Sequence, residues 1–215
     1  MQSANAPITT GFALTCVILF VILAIAGLNE QFFVAAGFIP ARFGSELIAP
    51  PGSLVPALLT PLTASLLHVD VLHLVINCVI LLFIGRQIEP ALGRMPMVVL
   101  IVVGAYAAAA ASWLADPASQ TIHIGASGVT SALLAVFALI FNRQQVRPIG
   151  PIPGPWVRAL WLAAAWIGLQ LLIGFAGQVA PDTRYIGVGI WAHIGGFLAG
   201  LLLARPLLRW RFGGR

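Results

Sequence analysis

The chain has 215 residues, of which 60% are hydrophobic and only 8% are charged. Soluble domains carry about 25% charged residues, so this composition and the mean hydropathy of +1.01 exclude a soluble globular fold and indicate a multi-pass membrane protein. The net charge of +5 comes from arginines scattered at the ends of apolar segments. That placement suits orientation in a lipid bilayer, and we expect no nucleic-acid partner.

Six apolar segments are long enough to cross a bilayer, which takes about 20 residues. Each must be helical there, because no other open segment satisfies its own backbone hydrogen bonds in hydrocarbon. The sequence therefore predicts an all-α bundle of six transmembrane helices within residues 11–208, between a short tail at 1–10 and a basic tail at 209–215. The predicted spans are 11–29, 69–88, 95–115, 126–142, 156–176 and 188–208.

The long connection between the first two spans, residues 30–68, contains five prolines. We expect a structured loop that lies in or on the membrane surface. The first ten residues lack a positively charged region, so we expect no cleavable signal peptide. Cys16 and Cys78 both lie in apolar runs and are predicted to be small buried residues rather than a disulfide.

The arginines also predict the orientation of the spans. If both termini are cytoplasmic, only Arg42 and Arg184 remain on the outer side, as the positive-inside rule favours. We expect an integral protein of a bacterial cell membrane in this orientation. Spans two, four and six then enter the bilayer from the outer face.

Polar side chains occur near the outer ends of these three spans. His73 and Asn77 lie in span two, Ser127 in span four and His193 in span six, with His73, Ser127 and His193 within about 10 Å of the outer helix ends. Singly, each has a structural explanation: the serine as a helix cap or packing residue, the others as hydrogen-bonding links between helices. At one depth, however, they provide the parts of an acyl-transfer site facing a cavity.

The predicted chemistry uses Ser127 as nucleophile and His193 as its general base and later general acid. Asp70 is expected to cap the N-terminus of span two, and Asp182 to be a turn residue after Pro181. Since no carboxylate lies near His193 in the sequence, we predict a Ser–His dyad rather than a triad.

A tetrahedral intermediate needs donors for its oxyanion, and His73, Asn77 and the backbone N–H of Ser127 are the candidates. Gly125 and Gly128 leave room for a substrate backbone. In span six a stripe of small residues would let that helix pack closely on span four and bring His193 to Ser127. The stripe consists of Ala192, Gly196 and Gly200.

Three motifs resemble those of the rhomboid family of intramembrane serine proteases and occur in the family's order along most of the chain. They are His-x4-His-x3-Asn at His68, His73 and Asn77, Gly-x-Ser-Gly at 125–128, and Ala-His-x2-Gly-x3-Gly at 192–200. The resemblance implies a six-helix bundle without metal or other cofactor that cleaves transmembrane protein substrates in the lipid bilayer. It assigns nucleophile and base to Ser127 and His193, the oxyanion to His73 and Asn77, and a structural role in the loop to His68.

The sequence departs from the family pattern at two places. Leu59 and Thr60 stand where the family often has Trp-Arg, which concerns the conformation of the first loop. Ser131 stands where an aromatic residue often packs on the catalytic histidine, so ring support for His193 has to come from elsewhere.

Two groups of residues near the motifs remain open to interpretation. The resemblance implicates span five in substrate access, so its tryptophans are predicted to line a gate or, equally, to anchor the helix at the interface or contact lipid. They are Trp156, Trp161 and Trp166. His123, just before the serine motif, is predicted to be an exposed loop residue.

The sequence thus favours an intramembrane serine endopeptidase. One alternative is a catalytically silent relative that binds membrane proteins, although such relatives typically lack the serine or the histidine. Another is a transporter, which is disfavoured because the inner halves of spans two, four and six show no matching polar track.

Overall fold

The computed structural model describes residues 5–43, 53–141, 146–177 and 189–213, with 169–177 described by their backbone alone. Asp182, predicted as a turn residue, lies outside these ranges. The described residues form helices and no strand, apart from isolated bridges such as Phe38 with His123. The predicted all-α class is confirmed. The helices are α1 Pro7–Ala26, α2 Asn29–Ala36, α3 Thr60–Ala64, α4 Val71–Leu92, α5 Arg94–Ala115, α6 Ser127–Ile140, α7 Gly154–Gly177 and α8 Ile190–Phe212.

Six of these helices lie where spans were predicted. Within the described ranges, α1, α4, α5 and α8 have 20, 22, 22 and 23 residues and are apolar enough to cross a membrane, whereas α6 is an apolar helix of 14 residues. Large apolar side chains are exposed along the outer faces, as lipid contact requires. On α1 these are Leu14, Val17, Ile18, Val21, Ile22 and Ile25.

The loop before α4 is built from short helical pieces. It contains α2, a 3-10 turn at Pro40–Phe43, a second at Ala57–Leu59, and α3. Thr60, where the family often has arginine, opens α3 and donates its hydroxyl to Ala57 O at 2.6 Å. The guanidinium of Arg42 nevertheless links two parts of this loop, because it donates to Val55 O at 2.8 Å.

Helix α4 begins and ends at identifiable caps. Asp70 caps its first turn by accepting from His73 N at 2.7 Å, as predicted. The helix continues to Leu92, beyond the predicted end at 88, and stops at Gly93, whose φ of +88° favours glycine. Glu89, which follows the predicted end of span two, is therefore part of α4.

Glu89 forms a buried polar cluster with the start of α1. Its carboxylate is 2% exposed and accepts from Ile8 N at 3.0 Å, from Thr9 N at 2.8 Å and from the Thr9 hydroxyl at 2.6 Å. Gly85, one turn earlier, lies directly against Thr9 and leaves no space for a Cβ. The inner end of this helix thus carries a buried polar group that the predicted span did not include, because α4 is longer than predicted and its last turns face α1.

Helix α6 occupies the centre of the bundle and contacts α4, α5, α7 and α8. Helix α8 packs against both α5 and α6 through glycines. A Cβ at Gly195 would collide with Ala107 O of α5, and one at Gly196 or Gly200 would collide with the carbonyl of Gly128 or Ala132 of α6. The backbone of α8 is therefore in direct contact with the backbones of α5 and α6, which holds α8 close to the start of α6.

The two cysteines lie in the apolar core. Cys16 and Cys78 are both buried and free, which confirms the prediction that they are not a disulfide.

Candidate active site

The serine motif lies at the start of the shortest of the six helices that occupy predicted spans. Ser127 is the first residue of α6, whose 14 residues span about 21 Å. This is less than the hydrocarbon thickness of about 30 Å, so α6 cannot reach both surfaces. Its N-terminus borders a cleft that half-buried Ser127 lines.

The turn before Ser127 is held by two backbone anchors. Gly125 N donates to Ala64 O at 2.9 Å, and Ala126 N donates to His68 Nε2 at 3.4 Å. Gly125 has φ of +118°, and a Cβ there would stand 2.7 Å from ring atoms of His73. Both the conformation and the neighbouring imidazole therefore require glycine.

His68 is 2% exposed and links the loop to this turn. Its Nδ1 lies 3.3 Å from Leu66 O while its Nε2 accepts from Ala126 N, so the proton resides on Nδ1 and the ring is neutral. Burial, followed by repulsion from His73, lowers the pKa of His68 to about 3. This geometry agrees with the structural role that the family resemblance implied.

The predicted nucleophile and base are in contact. His193 Nε2 lies 2.8 Å from Ser127 Oγ. The His193 side chain is 4% exposed, and its backbone N–H bonds Gly189 O in the first turn of α8. Within the described residues His193 Nδ1 is buried without a hydrogen-bond partner, so no carboxylate there completes a triad.

The two predicted oxyanion residues are placed differently. The His73 ring lies over Gly125 and packs edge-on against His68 with centroids 5.1 Å apart, and its Nδ1 has no partner among the residues that the structure describes. Asn77 is 2% exposed and donates from Nδ2 to His73 O at 3.0 Å, while its Oδ1 is buried with no partner in the described ranges. The amide therefore uses one of its two donor hydrogens within α4 and retains the other.

A cleft with about 500 Å³ of empty space opens beside Ser127. Its walls are mostly small side chains from α3, α5, the serine motif and the start of α8. They include Pro61, Ala64, Ala105, Ala108, Ala109, Gly125, Gly128 and Ala192. Among the described residues no group of His, Cys, Asp and Glu forms a metal site.

His123 lines this cleft and is not the exposed loop residue that we predicted. It is half-buried, and its backbone pairs with Phe38 through hydrogen bonds of 2.8 and 3.1 Å. Burial lowers the pKa of the His123 ring. No local pattern indicates this burial of His123, because the pairing joins two loops that are distant in the chain.

Trp166 of α7 is a site residue whose role the sequence did not identify. It is 6% exposed and packs edge-on against His193, with ring centroids 6.2 Å apart. The other two tryptophans of this helix differ: Trp156 is 37% and Trp161 is 69% exposed. The only signal in the sequence was Ser131, which left His193 without an aromatic neighbour from α6.

Known proteins resemble this chain over the same region. The family model of the Rhomboid domain matches residues 57–210, which include all of the candidate site residues. RHOMBOID-like protein 5 of Arabidopsis thaliana is 32% identical over 144 residues, 66% of this chain and 41% of that protein. The Rhomboid protease GlpG of Pectobacterium atrosepticum is 29% identical over 140 residues, 65% of this chain and 45% of that protein. The GlpG of Serratia proteamaculans is 23% identical over 205 residues, 95% of this chain and 64% of that protein. The matched part of the chain thus spans about half the length of these relatives.

Proposed function

Because the chain belongs to the rhomboid family, we propose that it is an intramembrane serine endopeptidase that hydrolyses peptide bonds in or near the transmembrane segments of other membrane proteins. The observation that carries this proposal is the distance of 2.8 Å between Ser127 Oγ and His193 Nε2 in a cleft at the start of α6. A serine hydroxyl is a poor nucleophile unless an imidazole takes its proton, and this contact provides for that transfer.

In the proposed reaction, Ser127 Oγ attacks the scissile carbonyl carbon while its proton moves to His193 Nε2. The imidazolium then protonates the leaving amine as the C–N bond breaks, which leaves an ester on Ser127. A water molecule, deprotonated by His193, attacks that ester. The tetrahedral intermediate that results collapses, which returns the proton from His193 to Ser127 Oγ and releases the new carboxyl end of the substrate.

The oxyanion of each tetrahedral intermediate would be stabilised by His73, by Asn77 and by the backbone N–H of Ser127. The free second hydrogen of the Asn77 amide and the positive end of α6 support this assignment. Gly125 and Gly128 would allow the substrate backbone to approach. Because His193 Nδ1 has no partner in the described part of the chain, we expect a slow enzyme, since loss of the carboxylate in triad enzymes lowers the rate about 10⁴-fold.

We also propose the orientation that the arginines favour, with both termini cytoplasmic and the Ser127 cleft toward the outer face. Topology reporters fused to each end of the chain test it. A reporter that is active only outside the cell, when fused after residue 215, must be silent if this orientation is correct.

The proposed activity is tested with a fluorophosphonate probe on the protein in membranes. We expect the wild-type protein to be labelled and Ser127→Ala to abolish the label. Ser112→Ala removes another hydroxyl from the same cleft wall and should retain it. Labelling that persists in Ser127→Ala would remove this serine from its role.

Cleavage of a transmembrane reporter in proteoliposomes completes the test. The protease should cut the reporter in the wild-type form only. A folded wild-type protein that captures the reporter without cutting it would instead favour a client-binding relative without catalytic activity.

A further inference from the structure

Ser131 lies one turn after Ser127 on the same face of α6 and is fully buried. Its hydroxyl donates to Ser127 O at 2.8 Å. It is too short to contact the ring of His193 as an aromatic side chain would. The space beside His193 is filled from another helix.

That helix is α7. Trp166 is the aromatic residue that packs on His193 among the described side chains, with ring planes inclined at 65°. An edge-to-face arrangement with centroids within about 7 Å is favourable and directional. It limits how far the imidazole can rotate away from Ser127.

The indole itself is fixed by a hydrogen bond. Trp166 Nε1 donates to Ser131 Oγ at 2.6 Å, and that hydroxyl donates in turn to Ser127 O. Both residues are buried, so water does not compete for these bonds. The chain of contacts therefore connects the peptide of the proposed nucleophile, through Ser131 and Trp166, to the ring of the proposed base.

The position of Trp166 is further set by the packing of α7. Ala159, Leu162 and Ala163 pack against α6 and α8, and Trp166 follows on the same face at helical spacing. Arg158, next to this stripe, donates to Phe141 O at the end of α6 at 2.6 Å. Helix α7 is thus seated along α6 up to the level of His193.

We propose that Trp166 is a positioning residue that orients His193 toward Ser127, held in place by its hydrogen bond to Ser131. The inference rests on the proposed protease function. The indole N–H of Trp166 is bonded to Ser131, and its contact within the site is with the ring of His193. Trp166 keeps the imidazole of His193 oriented toward Ser127 Oγ. Among the described residues no carboxylate bonds His193 Nδ1 to orient the ring.

The test measures how fast Ser127 is labelled by a small water-soluble fluorophosphonate. Such a probe needs no passage between helices, so its rate reports the activation of Ser127 and not the access of a membrane substrate. Trp166→Leu removes the ring and should slow labelling about 100-fold, as a small misplacement of a catalytic group does. Trp161→Leu, at an exposed tryptophan of the same helix, is the matched control and should label at the wild-type rate.

Two milder variants isolate the hydrogen bond. Trp166→Phe keeps a ring but loses the indole N–H, and Ser131→Ala removes its acceptor. Trp166→Phe should slow labelling about fivefold, the effect of one hydrogen bond, and Ser131→Ala at least as much, because it also removes the bond to Ser127 O. The double variant should be no slower than the slower single variant, because both changes break the same bond.

The proposal is overturned if Trp166→Leu unfolds at the wild-type temperature and labels at the wild-type rate. It is equally overturned if labelling is unchanged while cleavage of a transmembrane reporter is lost, since that pattern assigns Trp166 to substrate access. Should Trp166→Leu fail to fold, additive effects of the two milder variants would overturn it. Failure of the protease function itself is distinct, because the wild-type protein would then not be labelled at all.

Discussion

Helix α4 carries a buried polar cluster near each of its ends. His73 and Asn77 lie in its first two turns beside the serine motif, and Glu89 lies in its last turn beside Thr9. The two ends are separated by about 24 Å of helix. Both clusters place costly polar groups in an apolar bundle, yet they differ in how completely those groups are hydrogen-bonded.

At the Glu89 end the carboxylate takes three hydrogen bonds from the first turn of α1, where helix N–H groups have no partners of their own. At the Ser127 end, His73 Nδ1, Asn77 Oδ1 and His193 Nδ1 are buried and have no hydrogen-bond partner among the described residues. A saturated cluster stabilises the fold, whereas an unsaturated one keeps donors and acceptors for another molecule. Mutations at the two ends should therefore affect different properties.

The largest effect is expected from His193→Ala. Without the imidazole the Ser127 hydroxyl is not activated, and cleavage of a transmembrane reporter should fall about 10⁴-fold or more, which is about 5.5 kcal/mol in the barrier. The unfolding temperature should stay close to that of the wild-type protein. The double variant with Ser127→Ala should be no slower than either single one, because the two residues act as a unit.

At the other end, Glu89→Ala should lower the free energy of unfolding by about 3 kcal/mol, because two backbone N–H groups and a hydroxyl lose their acceptor. Glu89→Gln keeps the shape and one acceptor oxygen, and should cost about 1 kcal/mol. Unfolding in detergent measures both changes. Fluorophosphonate labelling per folded molecule should be unchanged, and a loss of labelling without a loss of stability would contradict the contrast between the two ends.

Asn77→Ala sharpens the comparison within the site. Loss of one oxyanion donor should reduce kcat about 100-fold with little change in KM. Stability should change by less than about 1 kcal/mol, since the variant also removes the unpaired Oδ1. Steady-state kinetics on the reporter measure kcat and KM, and a melting curve measures the change in stability. An unchanged kcat would take Asn77 out of the oxyanion site.

The smallest effect concerns pH. His68 has a pKa of about 3 in the folded chain against an ordinary value of 6.5. Between these values the unfolded chain binds a proton that the folded chain does not, so stability falls as the pH is lowered below about 6.5. His123, whose pKa is also lowered, acts in the same direction. His68→Gln should flatten the dependence of unfolding temperature on pH between 7 and 5, and an unaltered slope would contradict this account of His68.

Much of this architecture was predictable because the sequence gives depth along each helix. Apolar runs located the six helices to within a few residues, and the arrival of Ser127 and His193 at one level followed from counting residues. What the sequence could not give is rotation about each helix axis and the choice of neighbours. The contacts of Glu89 with Thr9 and of Trp166 with His193 depend on both.

The misplaced end of α4 had a further effect. The predicted span ended one residue before Glu89, so it did not include the carboxylate that would have indicated the buried cluster with Thr9. His123 was misjudged for a related reason, because its burial comes from pairing with Phe38 in a loop far away in the chain. Pairings at long sequence separation leave no local pattern.

The contact between Glu89 and the first turn of α1 has a consequence for how the chain is made. Thr9 leaves the ribosome 80 residues before its acceptor does. Until α4 has entered the bilayer, the N–H groups in the first turn of α1 can bond only water. The N-terminal end of α1 therefore has to remain at the lipid surface until then. Helix α1 is thus synthesised well before the carboxylate that binds its first turn, and this contact forms only once α4 is in place.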